Sequence, residues 1–149
     1  MVDLKKVKQL RENTGASIAL CNKALNEAKN DLKKASELLN KWGIELADKK
    51  GSRTTSNGTI ASYVHHNGKM AATVVLLCET DFVAKNEAFK KLAYEIAMQI
   101  CSMNPKTTNE LMEQQYIRDS SLTVETLIKQ HITLLGENIR VGEFVRLVL

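Results

Sequence analysis

The side chains most concentrated for chemistry stand in one stretch, Cys78-Glu79-Thr80-Asp81-Phe82-Val83-Ala84-Lys85-Asn86. It follows the apolar run Val74–Leu77 and precedes an amphipathic pattern. Read as strand and helix, these flanks put a carboxylate and a large ring side by side at a strand-to-helix corner. Corners are where side chains project outward for binding. Two readings stand. In one, Asp81 caps the helix and Phe82 packs inward. In the other, the pair faces a partner.

The remaining reactive side chains do not assemble into a catalytic set. His65-His66 taken with Cys78-Glu79 raises the question of a metal. Adjacent strand residues point to opposite faces, so the two histidines read as solvated tip residues rather than ligands of one ion. His131 lies on an apolar helical stripe and reads as a satisfied, partly buried histidine. No Gly-rich phosphate loop, nucleophile elbow or Cys-X-X-Cys is present. The chain reads as a binding protein without covalent chemistry, metal or cofactor.

Composition narrows the class further. A chain of 149 residues makes one or two small domains. No run of about 18 apolar residues occurs, and the opening Met1-Val2-Asp3-Leu4-Lys5-Lys6 lacks the apolar centre of a secretory signal. The three cysteines, Cys21, Cys78 and Cys101, have no paired spacing and sit in apolar patterns. They read as buried thiols of a reducing compartment, the cytosol or an organelle interior. Residues 1–53 hold 12 Lys+Arg against 7 Asp+Glu, and the rest 9 against 10. The basic third is interleaved with acids and has no aromatic platform, so no direct nucleic-acid contact is expected.

The elements that position the corner follow from periodicity. Leu4, Val7 and Leu10 make one helical stripe, ended by Asn13-Thr14-Gly15. Ser17 caps a second helix with the stripe Ile18, Cys21, Leu25 and Ala28. Asn30-Asp31 caps a third, with Leu32, Ala35, Leu38, Leu39 and Trp42, and Gly43 closes it, although Ile44–Lys50 can continue as helix. This head spans 1–50, and 51–57 reads as a flexible linker. In 58–149, Thr59–His66 and Lys69–Glu79 flank the turn Asn67-Gly68, which sets Val64 opposite Ala71 and Ile60 opposite Val75. The run Val74–Leu77 is apolar on both faces, so helices or a partner must cover both sides. Phe89, Leu92, Ala93, Ile96, Ala97 and Ile100 mark a helix stopped by Asn104-Pro105. Residues 106–121 read as polar and irregular, with a short extended piece at Tyr116-Ile117. A further helix starts at Thr123 and ends at Gly136. A third strand, 139–149, is apolar, lacks proline and offers an exposed edge. The class is α+β: a three-helix bundle followed by a small antiparallel sheet packed with helices.

The corner closely resembles the signature of the translation elongation factor Ts family. Leu10-Arg11-Glu12, Thr14-Gly15-Ala16 and Cys21-Asn22-Lys23-Ala24-Leu25 resemble the family's opening, itself similar to ubiquitin-associated domains. Gly136-Glu137-Asn138-Ile139 follows in the family's order, and Met103-Asn104-Pro105 resembles its shorter members. The resemblance implies a guanine-nucleotide exchange factor for the GTPase elongation factor Tu. It implies that Thr80, Asp81, Phe82 and Val83 dislodge Mg²⁺ from Tu, and that Lys23, Leu135 and Gly136 are further partner contacts. A single core copy implies pairing as a homodimer. Gly142-Glu143 stands where many members carry paired arginines. Two rivals lack a need for the corner: a ubiquitin-associated-type adaptor, and an RNA-associated ribosome factor.

Overall fold

The computed structural model describes all 149 residues. The N-terminal stripes form α1 (Leu4–Thr14), α2 (Ile18–Glu27) and α3 (Leu32–Lys50). Asp3, Ser17 and Asp31 cap them, each side chain accepting a backbone N–H of the first turn. Gly15 ends α1 at φ +70°. Val7, Leu10, Cys21, Ala24, Leu25, Ala28, Ala35 and Leu39 form one buried cluster. Leu4 and Ile18 are exposed, against the stripe reading; each is the first residue of its helix.

Gly43 does not close the third helix, which runs on to Lys50. Its small size serves a helix crossing instead. A Cβ there would lie 3.2 Å from Thr133 Oγ1, and that hydroxyl donates to the Gly43 carbonyl at 2.8 Å.

The rest of the chain gives β1 (Asn57–Val64), β2 (Met70–Cys78), α4 (Asp81–Ala84), α5 (Glu87–Met103), α6 (Thr108–Glu113), β3 (Gln115–Tyr116), β4 (Asp119–Thr123), α7 (Val124–Leu135) and β5 (Arg140–Val148). The main sheet is antiparallel, in the order β1-β2-β5. Helical head, small sheet and covering helices make the class α+β. Val64 pairs with Ala71 and Ile60 with Val75. The turn differs from a two-residue Asn-Gly turn. The Gly68 N–H donates to the His65 carbonyl at 2.9 Å, and Gly68 but not Asn67 takes a positive φ. His65 and His66 therefore begin a turn, where strand alternation does not separate them, and their rings lie 4.1 Å apart.

One face of the sheet, Ala72, Val74, Leu76 and Cys78, packs in a cluster with Phe89, Leu92, Ile96 and Ile100 of α5 and with Ile128 and Ile132 of α7. The other face carries no helix. Ile60, Val64, Val145 and Leu147 are all more than half exposed there.

Residues 106–121 are not irregular as read. They fold into α6 and a small β3–β4 hairpin. The hairpin is held by two polar side chains of α5 that periodicity assigns no partner. Gln99 Oε1 accepts the Ile117 N–H and its Nε2 donates to the Gln115 carbonyl, both at 3.0 Å. Glu95 accepts from the Tyr116 hydroxyl at 2.8 Å and from Arg118 Nε at 2.7 Å.

Two links tie α3 to α7 beside the Thr133–Gly43 bond. Lys129 Nζ reaches Asp48 at 2.9 Å, and Ala47 joins the sheet-side cluster. Residues 51–53 are also held: Asn138 Nδ2 donates to the Arg53 carbonyl at 2.9 Å and to that of Gly51 at 3.4 Å.

Candidate partner-binding site

The corner after β2 is a single helical turn. Thr80, not Asp81, is its cap: Thr80 sits in extended backbone and its Oγ1 accepts the Val83 N–H at 3.4 Å. Ala84 is buried and Val83 packs against the sheet-side cluster. In a turn of about 3.6 residues, inward Val83 and Ala84 force Asp81 and Phe82 outward. Phe82 is 86% exposed. The inward reading of Phe82 is thus overturned, because Val83 and Ala84 occupy the core side of the turn. Asn86 caps α5 separately, accepting from Ala88 and Phe89.

Asp81 is exposed and pairs with Lys85 Nζ at 2.9 Å across one turn. The Asp81 carboxylate raises the Lys85 pKa above its ordinary value. Both side chains are solvated, so this pair is weak and separable. The turn thus presents an exposed aromatic ring beside a loosely held carboxylate.

The base of the corner is rigid by contrast. Glu137 Oε1 accepts the backbone N–H of Glu79 at 3.1 Å and that of Thr80 at 2.9 Å, and its Oε2 accepts the Thr80 hydroxyl at 2.6 Å. In return, Glu79 Oε1 accepts the Asn138 N–H at 2.7 Å and lies 3.6 Å from Arg53. Beneath them the buried Cys78 thiol donates to the Thr80 carbonyl at 3.2 Å. Burial, then the nearby Glu137 charge, push the Cys78 pKa up, which keeps the thiol a donor.

Gly136 caps α7 at φ +77° and leads directly into Glu137. Leu135 and Gly136 therefore sit at the same end of the fold as Thr80–Val83. Leu135 packs on the core, and Gly136 is exposed. Lys23 stands elsewhere, on α2, with its ammonium 4.6 Å from the Trp42 ring centroid. No hydrogen bond or ion pair joins it to the corner. Glu79, Glu137 and Asn138 were missed as site residues in the sequence. The signal available was a carboxylate directly after a helix-ending glycine.

His131 Nδ1 lies 2.8 Å from the Leu127 carbonyl and is half-buried. Cys21, Cys78 and Cys101 are all buried and unpaired. No group of three or more His, Cys, Asp or Glu side chains is arranged to hold a metal ion. No helix is long and apolar enough to cross a membrane.

A helical head joined to a small antiparallel sheet, with an outward Asp-Phe corner between strand and helix, defines the class by its architecture. Comparison with known proteins makes that class a translation elongation factor. The family profile described as Elongation factor TS matches residues 79–149. A protein named Elongation factor Ts from Synechococcus sp. (strain JA-3-3Ab) is 39% identical, over 99% of this chain and 69% of its own length. Those of Fervidobacterium nodosum and Coprothermobacter proteolyticus are 37% and 39% identical over 95% and 96% of this chain, and 94% and 95% of their own lengths. The chain belongs to the elongation factor Ts family. The Synechococcus alignment runs over 194 positions against 149 residues here, so that relative carries aligned positions that this chain lacks.

Proposed function

We propose that this chain is a guanine-nucleotide exchange factor for elongation factor Tu. The observation that carries the reading is Phe82, a large apolar ring 86% exposed on a turn whose base is fixed by hydrogen bonds. A GTPase holds its nucleotide through backbone amides around the phosphates and through Mg²⁺, the largest local positive charge. In this reading Phe82 enters between structural elements of Tu, and Asp81 arrives beside the Mg²⁺ site. Thr80 and Val83 hold the turn. Displacing the metal removes the charge that offsets the phosphates, and GDP leaves. The factor supplies no base or nucleophile. It needs only to bind the empty state better than the GDP-bound one, and nucleotide then weakens factor binding by the same ratio.

The head, residues 1–50, docks on the GTPase domain through a surface that includes Lys23 and adds affinity. Residues 58–149 carry the corner, with Leu135 and Gly136 as a neighbouring contact. The open sheet face supports a second part of the reading, a homodimer. Ile60, Val64, Val145 and Leu147 form an apolar face on one side of a three-stranded sheet, and a second copy covers it by two-fold symmetry. The factor then works wherever the ribosome does, in the cytoplasm or an organelle interior.

Release of labelled GDP from purified Tu on adding the full chain tests the exchange reading. Acceleration that saturates with factor concentration is the expected result. GDP leaving at its spontaneous rate in the presence of excess factor would end the proposal.

A further inference from the structure

We propose that Glu137 is a positioning residue for exchange: it holds the Thr80 end of the corner so that Asp81 and Phe82 meet the partner already aimed. This rests on the exchange reading above. Its evidence is the arrangement of donors around one carboxylate.

Phe82 packs on nothing that would fix its direction, so the backbone of α4 must aim it. One helical turn has little stability of its own, because nucleation costs several dihedral angles for one hydrogen bond. α4 therefore depends on its flanks. On the far side Asn86 begins α5. On the near side the fixed point is Thr80, and Thr80 is held from 57 residues away by Glu137.

The carboxylate does more than tether. An ionised carboxylate only accepts, so the Thr80 hydroxyl proton must point at Glu137 Oε2. That leaves the hydroxyl lone pairs free for the Val83 N–H, the capping bond of α4. Glu137 Oε1 meanwhile takes the N–H groups of Glu79 and Thr80. One side chain thus bonds both the strand end and the cap of the turn, beside the Cys78 thiol on the Thr80 carbonyl and the Asn57 amide on the Glu79 carbonyl. Glu79 Oε1 returns a bond to the Asn138 N–H, so the two segments hold each other from both sides. Glu137 itself is placed by Gly136, whose left-handed backbone turns the chain out of α7 toward the corner.

Without Glu137 the turn samples other directions, and the fraction of factor ready to insert the ring falls. The loss appears in the step that the ring performs more than in overall docking, because the head and the sheet are untouched. The full-length Glu137→Ala and Glu137→Gln variants test this in stopped-flow GDP release over a range of factor concentrations, alongside amide exchange and melting. Glu137→Ala lowers the saturating release rate about tenfold, with a smaller change in half-saturating concentration. The amide exchange of Thr80 and Val83 speeds up in the same variant. Glu137→Gln restores part of the rate, because its amide oxygen still accepts the two N–H groups, while its NH₂ takes a lone pair of the Thr80 hydroxyl and leaves that proton without its acceptor. A saturating rate unchanged in Glu137→Ala, or equal losses in Ala and Gln variants that track their melting temperatures, would overturn the inference while leaving the exchange reading intact. No acceleration by the unaltered chain would instead remove the exchange reading itself, and this inference with it.

Discussion

Replacing Phe82 by alanine separates what the ring does for the fold from what it does for a partner. Full burial of a Phe side chain is worth about 1.5–3 kcal/mol. With 86% of Phe82 exposed, only about one seventh of that is at stake within the chain, roughly 0.2–0.4 kcal/mol. For a chain of this length such a loss moves the melting temperature by about 1 °C. A buried aromatic anchor at an interface costs about 2 kcal/mol or more when truncated, which is roughly thirtyfold in rate or affinity. The two readouts are thus expected to split: nearly wild-type melting, and GDP release from Tu slowed about thirtyfold. Both are measured on the same preparation, by calorimetry and by labelled-GDP release. A folded Phe82→Ala variant that exchanges at the full rate would refute the wedge. A large drop in melting temperature would refute the claim that the ring has no role in the core.

Three further outcomes are expected. Lys23→Glu raises the factor concentration needed for half-maximal GDP release and leaves the saturating rate in place, because Lys23 shares no hydrogen bond or ion pair with the corner; a lowered saturating rate would contradict that division. Val145→Lys, at a site already half exposed, abolishes self-association in sedimentation at several concentrations without lowering the melting temperature; an unaltered chain that is monomeric at every concentration would remove the dimer instead. At alkaline pH, the Lys129 pKa is raised by its hydrogen bond to Asp48 and by Glu125, against some desolvation, and that of Tyr116 is raised by burial and by Glu95. Both contributions are full below the unfolded values of 10.5 and 10.0 and fade as pH rises through the higher folded values. Stability therefore falls above pH 10, and Tyr116 ionises above the ordinary tyrosine range in an ultraviolet titration; a Tyr116→Phe variant that leaves the most alkaline part of that titration unchanged would contradict it.

Much of the fold was legible because its signals are local. Caps at Ser17 and Asp31, the helix start at Thr123, the helix-ending glycines Gly15 and Gly136, and the stripe on α5 each state an element within a few residues. The pairing of Ile60 with Val75 follows once a turn is centred near Asn67-Gly68, whatever the turn's type. The misreadings share a cause. Gly43 has the composition of a helix end, yet it is buried in a helix interior under Thr133, ninety residues away. The β3–β4 hairpin has few apolar residues of its own and is held by Gln99 and Glu95, polar side chains to which periodicity gives no weight.

The corner shows the same limit at the residue that matters most. Four residues are too few for a period, so no stripe can say which way Phe82 points. The resemblance to the elongation factor Ts family singled out Thr80–Val83 without their geometry. The direction of the ring is set by Val83 and Ala84 turning inward and by a carboxylate 57 residues further along the chain. Such a carboxylate is hard to single out in the sequence, where only its place directly after the helix-ending Gly136 marks it. Its chemistry is to accept three hydrogen bonds, and only the fold supplies the donors. A side chain of this kind is found by asking what holds an exposed ring still, not by asking which residues are reactive.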